Sequence, residues 1–340
     1  MASVFAGLTM HVHRNFQHRI VLYCCMVDLS LLQTFRVLEG QGTVTAAAQA
    51  LNLSPSAVSQ QLRQLSRQAG AVLLEPDGRR LRLTAAGRVL LGHADVLCAQ
   101  WETARAELAQ HDAPSHRTLR LAGFATSIGP LLAPVAGSLR RAVQPVEATV
   151  IETDTRNSYQ QLLADRFDIA VLTPLFDSPP IDDARFDQDH LLDDVLDLVV
   201  PASHSFATLE TIDLVATERE TWISPHHDQG RLIHALCASV GFAPHTVHHA
   251  DDWQAVLALV RHGLGVCLVP RLVSLDAHRG VVRLPLSGTP APSRRILTCV
   301  RRGSSGQTAI ADGLAALRQR AAQLSLRGPA GVQPESAGSA

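Results

Sequence analysis

Residues 54–63 read Ser54-Pro55-Ser56-Ala57-Val58-Ser59-Gln60-Gln61-Leu62-Arg63. Ser54 carries the hydroxyl of a helix N-cap, and Pro55 falls at the first helical position, where a missing N–H costs nothing. At 100° per residue, Val58, Leu62, Leu65 and Ala69 gather on one side of the predicted helix, with Ser56, Ser59, Gln60, Arg63 and Arg67 on the other. One face packs and the other is free to meet a partner. Just upstream, Thr43 can cap a short helix whose inner face is Val44, Ala47, Ala48 and Leu51, and Asn52-Leu53 supplies a tight turn. Further back, Leu29, Leu32, Phe35 and Leu38 recur at helical spacing between Asp28 and Glu39, and Gly40 and Gly42 end the run. A short helix, a tight turn and a polar-faced second helix form the helix-turn-helix pattern, whose second helix enters the DNA major groove.

Downstream, Val72-Leu73-Leu74, the turn residues Glu75-Pro76-Asp77-Gly78 and the alternating Arg79-Arg80-Leu81-Arg82-Leu83 predict a two-stranded wing. Between Gln60 and Arg88 there are six arginines (63, 67, 79, 80, 82 and 88) against Glu75 and Asp77. This local basic surface matters because the net charge of the 340 residues is only −1, so the whole-chain field advertises neither nucleic acid nor an anionic membrane. All 30 basic residues are arginine.

From Thr84 to about Asp112 the spacing predicts a long helix with Leu90, Ala94, Leu97, Trp101, Ala104 and Leu108 at alternating steps of four and three, a heptad seam suited to dimerisation. Such a helix spans ~40 Å. Pro114-Ser115-His116 then marks a domain boundary. Beyond it, apolar strands alternate with helices in two sets. The first comprises strands at 119–124, 146–152 and 168–173, and the second runs from Val195-Pro201 to Val266-Val269. Two α/β halves with a cleft between them follow, with mostly parallel sheets. Strands near 281–284 and 295–300 and a helix at about 306–324 are expected to return to the first half.

The predicted organisation is thus an α/β chain in five parts. Residues 1–25 are a disordered or mis-assigned extension, 26–83 the winged helix-turn-helix, and 84–112 the linker helix. Residues 118–325 form the two-lobed domain, with one lobe at about 118–188 and 275–325 and the other at about 190–271. Residues 326–340 are a disordered tail rich in Gly, Pro, Ser and Ala.

With 46% apolar and 18% charged residues, the chain can bury a sizeable core. No apolar run reaches the ~18 residues of a membrane span. The six cysteines (Cys24, Cys25, Cys98, Cys237, Cys267 and Cys299) form no C-x-x-C pair, which reads as reduced thiols in the cytoplasm. The 16 histidines, including His226-His227 and His245, His248 and His249, lack metal-ligand spacing, so no metal and no cofactor are expected. The acidic stretch Asp182, Asp183, Asp187, Asp189, Asp193 and Asp194 lacks the pattern of a calcium loop and reads as a solvated hinge. Gly263-x-Gly265 precedes a strand, which suits a helix C-cap and not a dinucleotide site. No nucleophile elbow, Walker A or triad spacing is present, so no enzyme is expected.

Taken together, Asp28-Leu-Ser-Leu-Leu-Gln-Thr-Phe35, Gly42-Thr-Val-Thr-Ala-Ala-Ala48, Leu53-Ser-Pro-Ser-Ala-Val-Ser-Gln-Gln-Leu62 and Gly78-Arg-Arg-Leu-Arg-Leu-Thr-Ala-Ala-Gly87 resemble the LysR-type transcriptional regulators. Weaker agreement continues through Leu191-Leu-Asp-Asp194, Asp197-Leu-Val-Val-Pro201, Trp222-Ile223 and Gly263-Leu-Gly-Val-Cys-Leu-Val-Pro270. The resemblance implies a winged helix-turn-helix, a dimerising linker helix and an effector domain of two Rossmann-like halves similar to periplasmic binding proteins. Its implied partners are double-stranded promoter DNA, a second copy in dimers or dimers of dimers, a small-molecule effector and RNA polymerase, with no membrane.

By position in the motif, base contacts are implied at Pro55, Ser56, Ser59 and Gln60, and a minor-groove contact at Arg79. Arg63 and Arg80 are added on charge, as phosphate contacts. Effector contacts are implied at Thr126, Ser127, Thr153, Thr173, Ser224 and Pro225, and helix N-termini there favour a carboxylate-bearing effector. Cys237 falls near where the peroxide-sensing branch keeps one of its pair, but Asp228 stands where the other would be expected. The wing departs from the family at Leu74 and Pro76, and Gln60 replaces an arginine found in many members. The alternative reading is a ligand-binding or transferase-like α/β module with a fused helical arm and no specific DNA binding.

Gln pairs with adenine N6/N7 where Arg favours guanine O6/N7. Gln60→Arg is therefore expected to shift the selected base at one step from adenine toward guanine in a random-sequence DNA selection. An unchanged selected sequence would contradict the placement of Gln60 in the major groove.

Overall fold

The computed structural model describes residues 28–78, 80–111, 117–225, 227–275 and 278–326. The expected extension 1–25, Arg79, the boundary Pro114-Ser115-His116 and the tail beyond 326 lie outside the described residues.

The amino-terminal helices follow their capping residues. In α1 (Leu29–Gln41), Asp28 accepts from the Ser30 N–H and Gly42 closes the helix at φ 70°, donating to the Leu38 carbonyl. That left-handed cap suits glycine because a side chain there is strained. In α2 (Val44–Leu51), Thr43 caps the Ala46 N–H, and Asn52 ends the helix at φ 55°. In α3 (Pro55–Ala69), the Ser54 hydroxyl caps the Ala57 N–H at 3.1 Å. Phe35, Val37, Ala47, Val58 and Leu65 are completely buried. The Thr34 hydroxyl donates to Gln61 at 2.6 Å and ties α1 to α3.

The wing is β1 (Leu74–Asp77) paired antiparallel with β2 (Arg80–Leu83), from Leu74 opposite Leu83 to Asp77 opposite Arg80. Glu75-Pro76-Asp77, expected as a turn, are therefore strand. A two-stranded ribbon tolerates Pro76 because each strand has an outer edge that needs no ladder donor.

Helix α4 (Ala85–His111) is 27 residues long, and Thr84 caps it through the Gly87 N–H. The heptad reading of this helix is divided by the structure. Ala94 is buried and Leu90 packs inward on the amino-terminal core, while Leu97, Trp101 and Leu108 are exposed and Ala104 is half-buried. Val89 and Val96 widen the exposed stripe. The first two heptad positions serve their own domain, because the helix-turn-helix core needs a lid.

The carboxy-terminal part begins with β3 (Thr118–Gly123). The short α5 (Ala125–Ser127) then runs through a π-helical turn at Ile128–Leu132 into α6 (Ala133–Arg140). Next come β4 (Glu147–Glu152), α7 (Thr155–Leu163), β5 (Ile169–Leu172), β6 (Phe186–Pro201) and β7 (Thr221–Ser224). The chain continues through α8 (His227–Ser239), β8 (His245–His249), α9 (Trp253–Arg261), β9 (Cys267–Pro270), β10 (Val281–Leu284), β11 (Ser293–Arg301) and α10 (Thr308–Leu326). Strands β4, β3 and β5 are parallel, and β11 lies antiparallel between β5 and β6. This sheet is the core of lobe I.

The 16-residue β6 does not stop there. Its second half pairs with β9 and β10 and founds lobe II, where Trp222 of β7 bridges to Val266 beside β9. The strand expected to start at Val195 is thus the far half of one that begins at Phe186. The strand at Val281–Leu284, expected in the first half, belongs to lobe II: it pairs with residues 198–201, and Leu284 and Leu286 enter the lobe II core. Only β11 and α10 return.

The acidic stretch is also corrected. Asp194 is 2% exposed and bonded to Arg294, Asp183 holds Arg185, and Asp187 holds Arg302. Strand alternation turns part of the run inward, where carboxylates need partners.

A buried ion pair binds α4 to lobe I. Arg301, 6% exposed, donates to Glu102 at 2.8 Å and to the Phe167 carbonyl at 2.9 Å, and Gln307 reaches the other Glu102 oxygen. Beside it, Arg120 grips Asp168 through its side chain and its backbone N–H. Burial opposes ionisation of Asp168, but the Arg120 hydrogen bonds outweigh it and hold the carboxyl below its usual value. A depressed folded-state pKa contributes stability above the unfolded value of about 4, and that stability is lost as pH falls through the folded value. Asp168→Asn is therefore expected to lower the unfolding midpoint at pH 7 and to narrow the gap to the parent chain on acidification below about pH 4. Thermal unfolding across that range checks it, and a constant gap would contradict it.

Candidate nucleic-acid interface and ligand cleft

The outer face of α3 carries Pro55, Ser56, Gln60 and Arg63 in the open, with Ser59 half-buried beneath them. Ser54 and Ser56 share a hydroxyl contact of 2.8 Å, so the cap also orients the first turn. Arg80 is exposed at the root of the wing, and Arg82 is paired with Glu75 at 2.8 Å. Among the described residues, Arg63, Arg67 and Arg80 have no carboxylate within ion-pair distance. The surface thus presents hydrogen-bonding groups in the first turn of a helix and arginines on its flank, which suits base edges and phosphates respectively.

The second site is a cleft of about 720 Å³ lined from both lobes. Lobe I gives Phe124, Thr126, Thr155, Thr173, Leu175 and Phe176, and lobe II gives Gln229, Arg231, Leu232 and Trp253. Asp193, Ser293, Arg294 and Arg295 come from the strands near the crossing.

Arg294 is the central group. Its guanidinium meets the Asp194 carboxylate at 2.8 Å, donates to the Thr126 hydroxyl at 2.7 Å and reaches the Gln229 side-chain carbonyl at 3.4 Å. It also lies over the Phe124 ring, 5.0 Å from the centroid. Asp194 accepts from the Leu272 N–H as well. Burial pushes the Asp194 carboxyl above its usual value, against the pull of Arg294 and the Leu272 N–H. Burial likewise depresses Arg294.

Among the described residues, two polar atoms on the cleft walls are buried without a partner: the Thr173 hydroxyl oxygen and the Gln229 amide nitrogen. Thr173 donates its backbone N–H to the Thr155 hydroxyl at 3.2 Å.

Of the six residues expected here, Thr126 and Thr173 line the cleft, and the other four do not. Ser127 is buried and donates to the Phe124 carbonyl, closing its own turn. Thr153 sits at the end of β4, its N–H bonded to the Gly123 carbonyl. Ser224 is buried and turned onto the Pro225 carbonyl, and Pro225 is buried too. The position past β4 that does face the cleft is Thr155, one residue inside the helix capped by Asp154. Arg294 carried a signal that sequence reasoning missed: it stands at an inward position of a strand in which Ile296 is buried. Gln229 and Trp253 carried no such pattern, since the lobe fold alone brings α8 and α9 to the cleft.

Cys237, Cys267 and Cys299 are buried free thiols, and Cys98 is half-buried. Burial raises all four, Cys237 to about 11. Such thiols react poorly, because the thiolate is the nucleophile. Among the described residues no group of three His, Cys, Asp or Glu could hold a metal ion, and no helix is long and apolar enough to cross a membrane.

Residues 29–88 match the bacterial regulatory helix-turn-helix model of the lysR family, and residues 112–322 match the LysR substrate binding domain. The transcriptional regulator AlsR of Bacillus subtilis is 27% identical over 263 residues, covering 74% of this chain and 84% of AlsR. The activator HcaR of Escherichia coli is 26% identical over 303 residues, covering 88% of this chain and 99% of HcaR. A full-length OxyR variant from Pseudomonas aeruginosa superposes with a TM-score of 0.62 at 18% identity, covering 91% of this chain and 99% of OxyR. CbnR complexed with its target DNA superposes with a TM-score of 0.53 at 21% identity, covering 87% and 100%. With both domain models matched in order along one chain, the protein belongs to the LysR family of DNA-binding transcriptional regulators with an effector-binding domain.

Proposed function

We propose that this regulator reads promoter DNA with Pro55, Ser56, Ser59 and Gln60 in the major groove. Arg63 and Arg80 hold phosphates, and Arg79 reaches the minor groove from the wing. The observation that carries the reading is the open first turn of α3, flanked by Arg63, Arg67 and Arg80, which no carboxylate among the described residues neutralises. A second copy pairs along the exposed stripe of α4, where Leu97, Trp101 and Leu108 stand clear of their own domain. RNA polymerase is the partner that promoter occupancy would serve.

The effector is a small organic acid held between the lobes, its anionic oxygens met by the unpartnered Thr173 hydroxyl and Gln229 amide. Phe124, Leu232 and Trp253 supply an apolar wall for its body. Effector control requires only that one arrangement of the lobes bind it more tightly than another.

Purified full-length chain selected against fragmented genomic DNA tests the DNA reading. A few fragments with dyad sites are expected to be enriched. Arg63→Ala should weaken binding to all of them and lower the slope of log affinity against log salt by about one. A folded chain that enriches nothing at low salt would overturn the reading and favour a ligand-binding module with an inherited helical arm.

A further inference from the structure

The helix-turn-helix does not stand apart from the effector domain of its own chain. Its core is continuous with the underside of lobe I, where Tyr159, Leu162, Leu163 and Phe167 join Phe35 and Val37 in one buried cluster. Polar contacts border that cluster. The Gln33 amide donates to the Leu163 carbonyl at 3.2 Å, and Arg185 faces Glu39 at 3.7 Å. At the end of α1, Gly40 lies so close to α7 that a Cβ there would occupy the space of the Gln160 amide. This junction is an intrachain docking surface between α1 and α7.

The same two pieces of lobe I that form the dock also form the cleft. Thr155, in the first turn of α7, lines the cleft, and Tyr159 and Gln160, one turn later, line the dock. The segment after β5 repeats the pattern: Thr173 to Phe176 line the cleft, and Asp177 to Pro180 line the dock. The Thr173 N–H to Thr155 hydroxyl bond clips these pieces together at the cleft end, and the Tyr159 hydroxyl to Gln188 bond, at 2.9 Å, clips α7 to β6 at the dock end. One helical turn is about 5.4 Å. A ligand that shifts the start of α7 cannot leave its middle in place, because a short helix moves as a rigid body.

We propose that α7 and the segment after β5 act as a lever, through which occupancy of the cleft sets whether the DNA-binding domain is docked on lobe I of its own chain. This deepens the reading of the cleft as the effector site and rests on it. The recognition face of α3 stays open in the docked form, so the lever controls the angle at which that face is presented and leaves it unmasked. Linkage makes the coupling reciprocal: undocking the DNA-binding domain must change cleft affinity by the factor with which the effector changes docking.

The test uses the full-length chain with Cys24→Ser and Cys25→Ser, carrying Gly40→Cys and Gln160→Cys. An intrachain disulfide is expected to form under mild oxidation without a shift to dimer mass. Adding Thr155→Val, which removes the acceptor for the Thr173 N–H at the cleft end, is expected to change the rate of bridge formation about fivefold or more. A bridge that forms only between chains, or not at all, overturns the dock. A bridge that forms at the same rate with Thr155→Val overturns the lever.

Gly40→Arg, which wedges the dock from an exposed helix end, supplies a second readout by hydrogen exchange. Faster exchange should spread from the middle of α7 to Thr173, and Gln160→Ala should suppress it by making room. Exchange that changes only in α1 and around Gln160 also counts against the lever. Failure of the effector reading looks different: the bridge forms and responds to Thr155→Val, yet benzoate and acetate, added as probe acids to the chain with Gly40→Cys and Gln160→Cys, leave its rate unchanged.

Discussion

The Asp194–Arg294 ion pair lies where the two lobes become one structure. Strand β6 carries Asp194 just before it passes from one sheet to the other, and β11 brings Arg294 back alongside it. Removing one partner from such a pair costs about 3 to 5 kcal/mol, because the other is left charged and buried. Here the guanidinium also reaches Thr126 in lobe I and Gln229 in lobe II, so the pair fixes the spacing of the cleft walls as well as the crossing. A few residues on, Asp197 is wholly buried and held by Arg271 at 2.8 Å and by Arg283. Two buried carboxylates on one strand, satisfied by Arg294 of β11, Arg283 of β10 and Arg271 just past β9, give the crossing a register that apolar side chains alone would not specify.

The amino-terminal domain rests on different physics. Its helices are set by caps, Asp28, Thr43 and Ser54 at their starts and Gly42, Asn52 and Gly70 at their ends. Its core is small, and it borrows surface. Leu90 and Ala94 of the linker helix close one side, and residues of α7 close another. The arrangement explains why the heptad pattern of α4 does two jobs along its length, core filling at its start and an outward stripe further on.

Much of this was legible in the sequence because the relevant forces are local. Ser54-Pro55 starts a helix whatever surrounds it, and the alternation of apolar and polar residues in α3 states which face is free. The wing was legible in outline but not in register, since Pro76 reads as a turn until its strand is known to have an outer edge. Strand pairing across distance was the harder part. Nothing in Val281–Leu284 shows that its partner is the far half of β6, and no local pattern shows that β6 is continuous from Phe186 to Pro201. The cleft residues Gln229 and Trp253 fell out of reach because they come to the cleft only after both lobes are built, whereas the alternation around Arg294 in β11 was there to be read. Ser127 and Ser224 misled for the converse reason: hydroxyls at the end of the short α5 and at the end of β7 have local backbone carbonyls to satisfy them.

The most direct test of this account is hydrogen exchange over the full chain, comparing the parent protein with Arg294→Met and with Asp194→Asn plus Arg294→Met. If the ion pair holds the lobes in register, Arg294→Met will speed exchange together at the helix bearing Thr126 and at the helix bearing Gln229. The double substitution will recover part of that protection by removing the unpaired buried carboxylate. Faster exchange confined to β11, with both cleft walls unchanged, would contradict the claim that this pair joins the two lobes.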